Sequence, residues 1–140
     1  MTTSTLSDSC TAVQPLKVLV VEDNPINQRL IVTLLKKRGC DVTTVVNGQE
    51  AVDVVQGQHD FDLILMDIRM PVMDGREATR NIRAWENAEH RKKTPIVAVT
   101  AEGFLHDVVA CQDAGMDGYL AKPFNAMQFN TVMNRFVDAG

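Results

Sequence analysis

Val18-Leu19-Val20-Val21-Glu22-Asp23-Asn24-Pro25 is the stretch whose reading decides the fold. An unbroken aliphatic run of this length has the size of a strand buried on both faces, and it hands the chain directly to a polar turn. Asn24 is placed to cap a helix, with Pro25 at its first position, where a missing N–H costs nothing. Ile26, Leu30, Ile31, Leu34 and Leu35 then recur on one helical face, and Gly39 is the expected stop. A buried strand followed at once by an amphipathic helix is the building unit of a parallel sheet covered by helices.

The unit repeats along the chain. Val42 to Val46 predicts a second strand, and Thr43 and Thr44 mark it as an edge; Ala51, Val54 and Val55 predict a short helix ending near Gly57. Phe61 to Met66 is a third strand, apolar except for Asp62, that runs into Asp67 and a loop carrying Pro71. Asp74 with Glu77 resembles a capping box, opening a helix with Ala78, Ile82 and Trp85 on one side. Glu86 to Thr94 reads as a connection and Pro95 to Val99 as the fourth strand. Leu105, Val108 and Val109 give the next helix its apolar stripe before Gly115. Asp117 to Ala121 is the fifth strand. Phe129, Val132, Met133, Phe136 and Val137 define a last amphipathic helix capped by Asn125. The expected architecture is α/β, a (βα)5 doubly wound, five-stranded parallel sheet; no sequence repeat accompanies the structural one.

Composition agrees with one compact domain. The 140 residues are 45% hydrophobic but only 5% aromatic, so the core is aliphatic. With 18 acidic against 14 basic residues there is no broad basic field for nucleic-acid phosphates or anionic lipid. Cys10, Cys40 and Cys111 show no C-x-x-C spacing and do not pair evenly, which argues against a disulfide framework or a thiolate zinc site and for a reducing, cytoplasmic compartment. The apolar runs are strand-sized, far below the roughly 18 residues that span a membrane. Residues 2 to 11 hold seven Ser or Thr and no basic residue. Residues 1–15 therefore read as a flexible tail or linker and 16–140 as the domain.

Ligands of open parallel sheets sit beyond the carboxyl ends of the strands. There the first strand delivers Glu22 and Asp23, the third Asp67, the fourth Thr100, and the fifth Lys122. Each alone has an ordinary explanation: a solvated turn, a loop carboxylate, a helix cap, a surface lysine. Asp74 reads as a cap, and Trp85 and the methionines as packing. Together the five describe one chemistry. Carboxylates crowded into one cavity repel unless they share protons or hold a hard cation with oxygen ligands, and Mg²⁺ fits such a set when it also keeps waters and a phosphate. A lysine and a hydroxyl nearby suit phosphate oxygens.

These residues resemble the receiver domains of two-component response regulators, which have the flavodoxin-like fold with strand order 2-1-3-4-5. The resemblance covers about 17 to 138 and is carried by Val18 to Asn24, by Met66 to Gly75, by Val99 to Ala101 and by Gly118 to Phe124. It implies that Asp67 is the phosphoacceptor, that Glu22, Asp23, Asp67 and the backbone carbonyl of Arg69 hold Mg²⁺, and that Thr100 and Lys122 contact the phosphoryl group. It further implies that Thr100 and Tyr119 form a conformational switch and that the Lys122-Pro123 peptide is cis. The partner would be a histidine kinase or histidine phosphotransfer protein, and Asn24 to Asn27 look like receivers attached to hybrid sensor kinases. Such a domain catalyses only its own phosphorylation and slow dephosphorylation, and is not otherwise an enzyme.

Rival chemistries fit less well. A haloacid-dehalogenase-like phosphatase also uses an Asp after an apolar strand with Mg²⁺, but it needs a second Asp two residues on as general acid, where this chain has Arg69. A flavodoxin-like FMN carrier needs no acidic triad, and a dinucleotide binder needs G-x-G-x-x-G where this chain has Glu22 to Pro25. A degenerate receiver serving only as a docking module would not need an intact site.

Overall fold

The computed structural model describes residues 15–57, 60–70, 72–101 and 112–137. Within them the strands β1 (Lys17–Val21), β2 (Asp41–Val45), β3 (Leu63–Asp67), β4 (Ile96–Ala101) and β5 (Gly118–Lys122) form one parallel sheet in the order β2-β1-β3-β4-β5. The helices are α1 (Pro25–Lys37), α2 (Gly48–Gly57), α3 (Gly75–Ala88) and α4 (Ala126–Val137). The helix expected around Leu105, Val108 and Val109 lies outside the described residues, as do Cys10, Pro71, Cys111 and the side chain of Val137. Residues 112–114 are helical, and Gly115 follows at φ 106°, a conformation open to glycine and costly for other residues.

Strand alternation sorts the side chains into two cores. Leu19, Val21, Ile64, Met66 and Ala98 face α2 and α3, meeting Ala51, Val52, Val55, Ala78 and Ile82. Val18, Val20, Leu63, Leu65, Val97, Val99 and Leu120 face α1 and α4, meeting Ile31, Leu35, Phe129 and Met133. Helices therefore cover both faces, which is why the central strands read as unbroken apolar runs. Each fully buried leucine or isoleucine contributes about 1.5–3 kcal/mol relative to exposure.

The expected caps form. Asn24 Oδ1 accepts from the backbone N–H groups of Ile26 and Asn27 (2.9 and 3.3 Å), and Asp74 Oδ1 from that of Glu77 (2.9 Å). Asn125 and Gln128 make a reciprocal box, each side chain accepting from the other's backbone N–H (2.8 and 2.9 Å).

Several sequence expectations need correction. Of the apolar residues assigned to one face of α1, only Ile31 and Leu35 are buried; Leu30 is largely exposed and Ile26 is 80% exposed. Phe61 and Asp62 precede β3, where Asp62 Oδ2 accepts from the Lys17 N–H (2.8 Å) and its own N–H donates to the Lys17 carbonyl (2.7 Å). That pairing ties the two strand starts, and β3 itself begins at Leu63, two residues later than hydropathy implies. Glu86 is a buried residue of α3, not part of a connection. Val46 falls outside β2, and β4 and β5 each start one residue late and extend to Ala101 and Lys122.

Candidate functional site

Strand order reverses between β1 and β3, because the chain leaves β1 toward β2 on one side and returns on the other. Register then aligns the site. Val21 is paired with Met66, so Glu22 and Asp67 leave the sheet at the same level; Asp67 is paired with Val99, which puts Thr100 one step beyond. Ala101 is paired with Lys122, the last residue of β5. The Lys122-Pro123 peptide is cis, as expected.

All five predicted side chains line one cleft of about 220 Å³, together with Asn24, Asn27, Ile68 and Arg69. Glu22, Asp67 and Thr100 are buried, Lys122 is half-buried and Asp23 is exposed at the mouth. Lys122 Nζ stands 3.2 Å from Glu22 Oε1 and 3.6 Å from Asp67 Oδ2. Glu22 Oε1 is buried and has no hydrogen-bond partner among the described residues, its contact with Lys122 being an ion pair. Glu22 Oε2 accepts from the Asn24 N–H (3.2 Å) and Asp67 Oδ1 from the Arg69 N–H (3.3 Å). Tyr119 lies on β5 opposite Ala98 with about half of its surface exposed, outside the cleft.

Electrostatics make the site unstable as it stands. Burial, followed by the close approach and negative charge of the Glu22 carboxylate, pushes the Asp67 carboxyl from 3.8 up to about 7, although Lys122 and the Arg69 N–H pull the other way. The sign of the pH effect follows from linkage. Between these values the folded, metal-free protein holds a proton that the unfolded chain has released, so the stabilisation is complete below about pH 3.8 and is lost as pH rises through 7. In chelator, wild-type stability is expected to fall relative to Asp67→Asn as pH rises from about 4 to about 7 and to level off above that, by about 1–2 kcal/mol after allowing for solvent reaching the cleft. Urea unfolding of the two proteins across that range checks it; parallel pH curves would contradict it.

One oxygen each from Glu22, Asp23 and Asp67 lie within 4.8 Å of one another. An all-oxygen donor set, in which Glu22 also carries a buried oxygen without a hydrogen bond, fits a hard divalent cation. These three residues could hold such an ion, and its charge would return Asp67 to the ionised form.

Gly75 is a site-shaping residue that composition and periodicity did not single out. A Cβ there would collide with the Asp67 carbonyl oxygen, and the Gly75 N–H donates to the Ile68 carbonyl (2.8 Å). Only glycine lets α3 begin against the end of β3 and fold the intervening loop beside the cleft. Its sequence signal was the Asp-Gly pair at 74–75.

Comparison with known proteins places these features. The family model described as response regulator receiver domain matches residues 18–134. The chain is 46% identical over 117 residues to the sensor protein GacS of Pseudomonas syringae pv. syringae, covering 84% of this chain and 13% of that protein. It is 38% identical over 140 residues to histidine kinase 3 of Arabidopsis thaliana, covering 88% and 14%. The chain thus spans about one-eighth of the length of such relatives. Among solved structures, the receiver domain of a sensor histidine kinase from Pseudomonas aeruginosa, with magnesium coordinated in its active-site cleft, matches with a TM-score of 0.79 at 42% identity, covering 90% of this chain and all of that one. A co-crystal structure of the Saccharomyces cerevisiae phosphotransfer protein Ypd1 and the receiver domain of the response regulator Ssk1 matches with a TM-score of 0.81 at 32% identity, covering 87% and 88%. The parallel order 2-1-3-4-5 is the flavodoxin-like receiver fold.

Proposed function

Because the chain belongs to the family of response regulator receiver domains of two-component phosphorelay signalling, we propose that Asp67 accepts a phosphoryl group from a phosphohistidine of a partner protein. The observation that carries this reading is the placement of Asp67, with Lys122 3.6 Å from its Oδ2 and Thr100 in the same cleft. An ionised Asp67 oxygen attacks phosphorus in line, the bond from phosphorus to the histidine nitrogen breaks, and the imidazole leaves with that electron pair. Lys122 supplies positive charge to the phosphoryl oxygens and the Thr100 hydroxyl donates to one of them. Mg²⁺, when held by Glu22, Asp23 and Asp67 with the Arg69 carbonyl, neutralises charge on the carboxylates and phosphoryl oxygens. Catalysis here is positioning and electrostatics, so a small donor such as acetyl phosphate also serves, and slow hydrolysis of the acyl phosphate follows from the same groups.

The same proposal extends to the rest of the chain. Residues 16–140 form the receiver and 1–15 a tail or linker. Phosphorylation draws Thr100 toward the phosphoryl group and Tyr119 turns inward from its half-exposed position, shifting the population between two states. The donor is a histidine kinase or histidine phosphotransfer protein, and the domain is a part of a hybrid sensor kinase, a reading supported by its matching only a small share of the length of a sensor protein and a histidine kinase. It works in the cytoplasm, where the ATP that charges such kinases is available, and it binds neither nucleic acid nor membrane; no helix among the described residues is long and apolar enough to cross one.

Incubation with acetyl phosphate and Mg²⁺ is expected to add one phosphate by intact mass, and excess EDTA to prevent it. Full phosphorylation in EDTA would contradict the metal assignment; no gain in Mg²⁺ would contradict the function.

A further inference from the structure

Another cavity, of about 500 Å³, opens at the opposite end of the sheet from the acidic cleft. Leu16, Phe61, Asp62, Thr94 and Pro95 line it, all of them just ahead of β1, β3 or β4. The length of a five-residue strand, about 17 Å, lies between it and the strand ends that carry Asp67, so phosphoacceptor chemistry makes no use of it. Pockets of roughly 300–1,000 Å³ are of the size that takes small organic molecules.

The inner wall is apolar and built into the core. Val55, Phe61 and Ile64 are buried beneath α2 and α3, Trp85 is half-buried on α3, and Phe136 joins them from α4. Most charged groups around this wall are already engaged. Arg91 Nη1 stands 3.3 Å from Asp60 Oδ1, and its guanidinium lies 4.7 Å from the centre of the Trp85 ring, a cation–π contact. Lys93 Nζ is 3.6 Å from Asp117 Oδ1, and Glu86 is held by Arg83 and the Thr94 N–H. Two charges are left over. Lys92, exposed at the rim, has no ion pair or hydrogen bond among the described residues. Asp62 accepts from the Lys17 N–H, a neutral donor, and forms no ion pair among them.

We propose that this cavity binds a small aromatic monocarboxylate, its ring against Phe61, Trp85 and Phe136 and its carboxylate on Lys92. One spare cation matches one negative charge, and the uncompensated Asp62 nearby works against a dianion such as a phosphate monoester. Three aromatic side chains favour a flat body, which can meet them face to edge or offset face to face. The inference is independent of the phosphoacceptor reading of Asp67, because the two sites share no residue.

The probes are 2-naphthoate and its neutral counterpart 2-naphthalenemethanol, titrated into the full chain while amide and indole N–H resonances are followed by NMR. Trp85 is the one tryptophan of the sequence, so a single indole resonance reports on the wall. Naphthoate is expected to shift that resonance and the amides of Phe61, Asp62 and Lys92 saturably, with a Kd of about 1 mM or below, ordinary efficiency for a ligand of its size. Lys92→Gln should weaken naphthoate about three- to fivefold and leave the alcohol unchanged. The same variant should be phosphorylated by acetyl phosphate within about twofold of the wild-type rate, which shows that its fold is intact. Saturable shifts centred on Glu22 and Asp67, or equal naphthoate affinity in wild type and Lys92→Gln, overturn the proposal. So does the absence of saturable shifts, the result expected if the chain's own N-terminal residues fill the cavity.

Discussion

Asp67→Asn is expected to abolish phosphorylation, from acetyl phosphate and from a phosphohistidine protein alike. The amide is close in shape to the carboxylate and can still accept from the Arg69 N–H, as Asp67 Oδ1 does at 3.3 Å. What it lacks is a nucleophilic anion: an amide oxygen does not form a stable acyl phosphate, and no other carboxylate occupies the end of the central strand beside Thr100. Glu22 is the nearest substitute, but it is buried behind Lys122 and engaged by the Asn24 N–H. The loss should be complete within detection and should come without unfolding, since the neutral side chain removes a repulsion from the pocket. Circular dichroism and intact mass on the same sample separate these effects. A phosphorylated, folded Asp67→Asn protein would remove Asp67 from its role.

The second large effect is expected far from the cleft, at the opposite ends of β4 and β5. Arg83 on α3 donates from Nε to the Gly115 carbonyl (2.9 Å), from Nη1 to Glu86 Oε1 and the Thr94 carbonyl (both 2.8 Å), and from Nη2 to Asp117 Oδ2 (2.8 Å). Glu86 Oε2 accepts from the Thr94 N–H and Asp117 Oδ2 from the Ile96 N–H, both at 2.8 Å. One guanidinium thus binds α3 to the starts of β4 and β5. Truncating it leaves a buried carboxylate and two carbonyls without their partner, so Arg83→Ala should cost about 3–5 kcal/mol. Adding Glu86→Gln should recover part of the loss by removing the buried charge. A lower urea midpoint with unchanged slope is the expected reading; a loss under about 1 kcal/mol would show that the network contributes little.

That network also shows where sequence reading stops. The strands and the caps Asn24, Asp74 and Asn125 were legible because each rests on local chemistry: apolar runs, a capping oxygen, a proline at the first turn; the strand order came from the resemblance to receiver domains. The five cleft residues were legible because strand ends are where such sheets bind ligands, and the motif residues fall there. Glu86 was misread as loop because a charge after an apolar stripe normally faces water; only the arginine one turn earlier and the returning Thr94 make its burial affordable. Ile26 and Leu30 continue the apolar period of α1, yet only Ile31, Leu34 and Leu35 on that helix turn toward the core, and Ile26 and Leu30 stay exposed. The close approach at Gly75 and the left-handed φ of 71° at Val72 are properties of backbone geometry, which composition and periodicity do not record.

The central claim, that the phosphoryl group is carried by the carboxylate at the end of β3, is tested most directly by chemical reduction. An acyl phosphate, unlike a free carboxylate, is reduced by borohydride to an alcohol, so protein charged with acetyl phosphate and Mg²⁺ and then reduced should carry homoserine at position 67. Peptide mass spectrometry should find that conversion at residue 67 and at no other aspartate. Homoserine at another position, or phosphate bound with position 67 unreduced, would contradict the account.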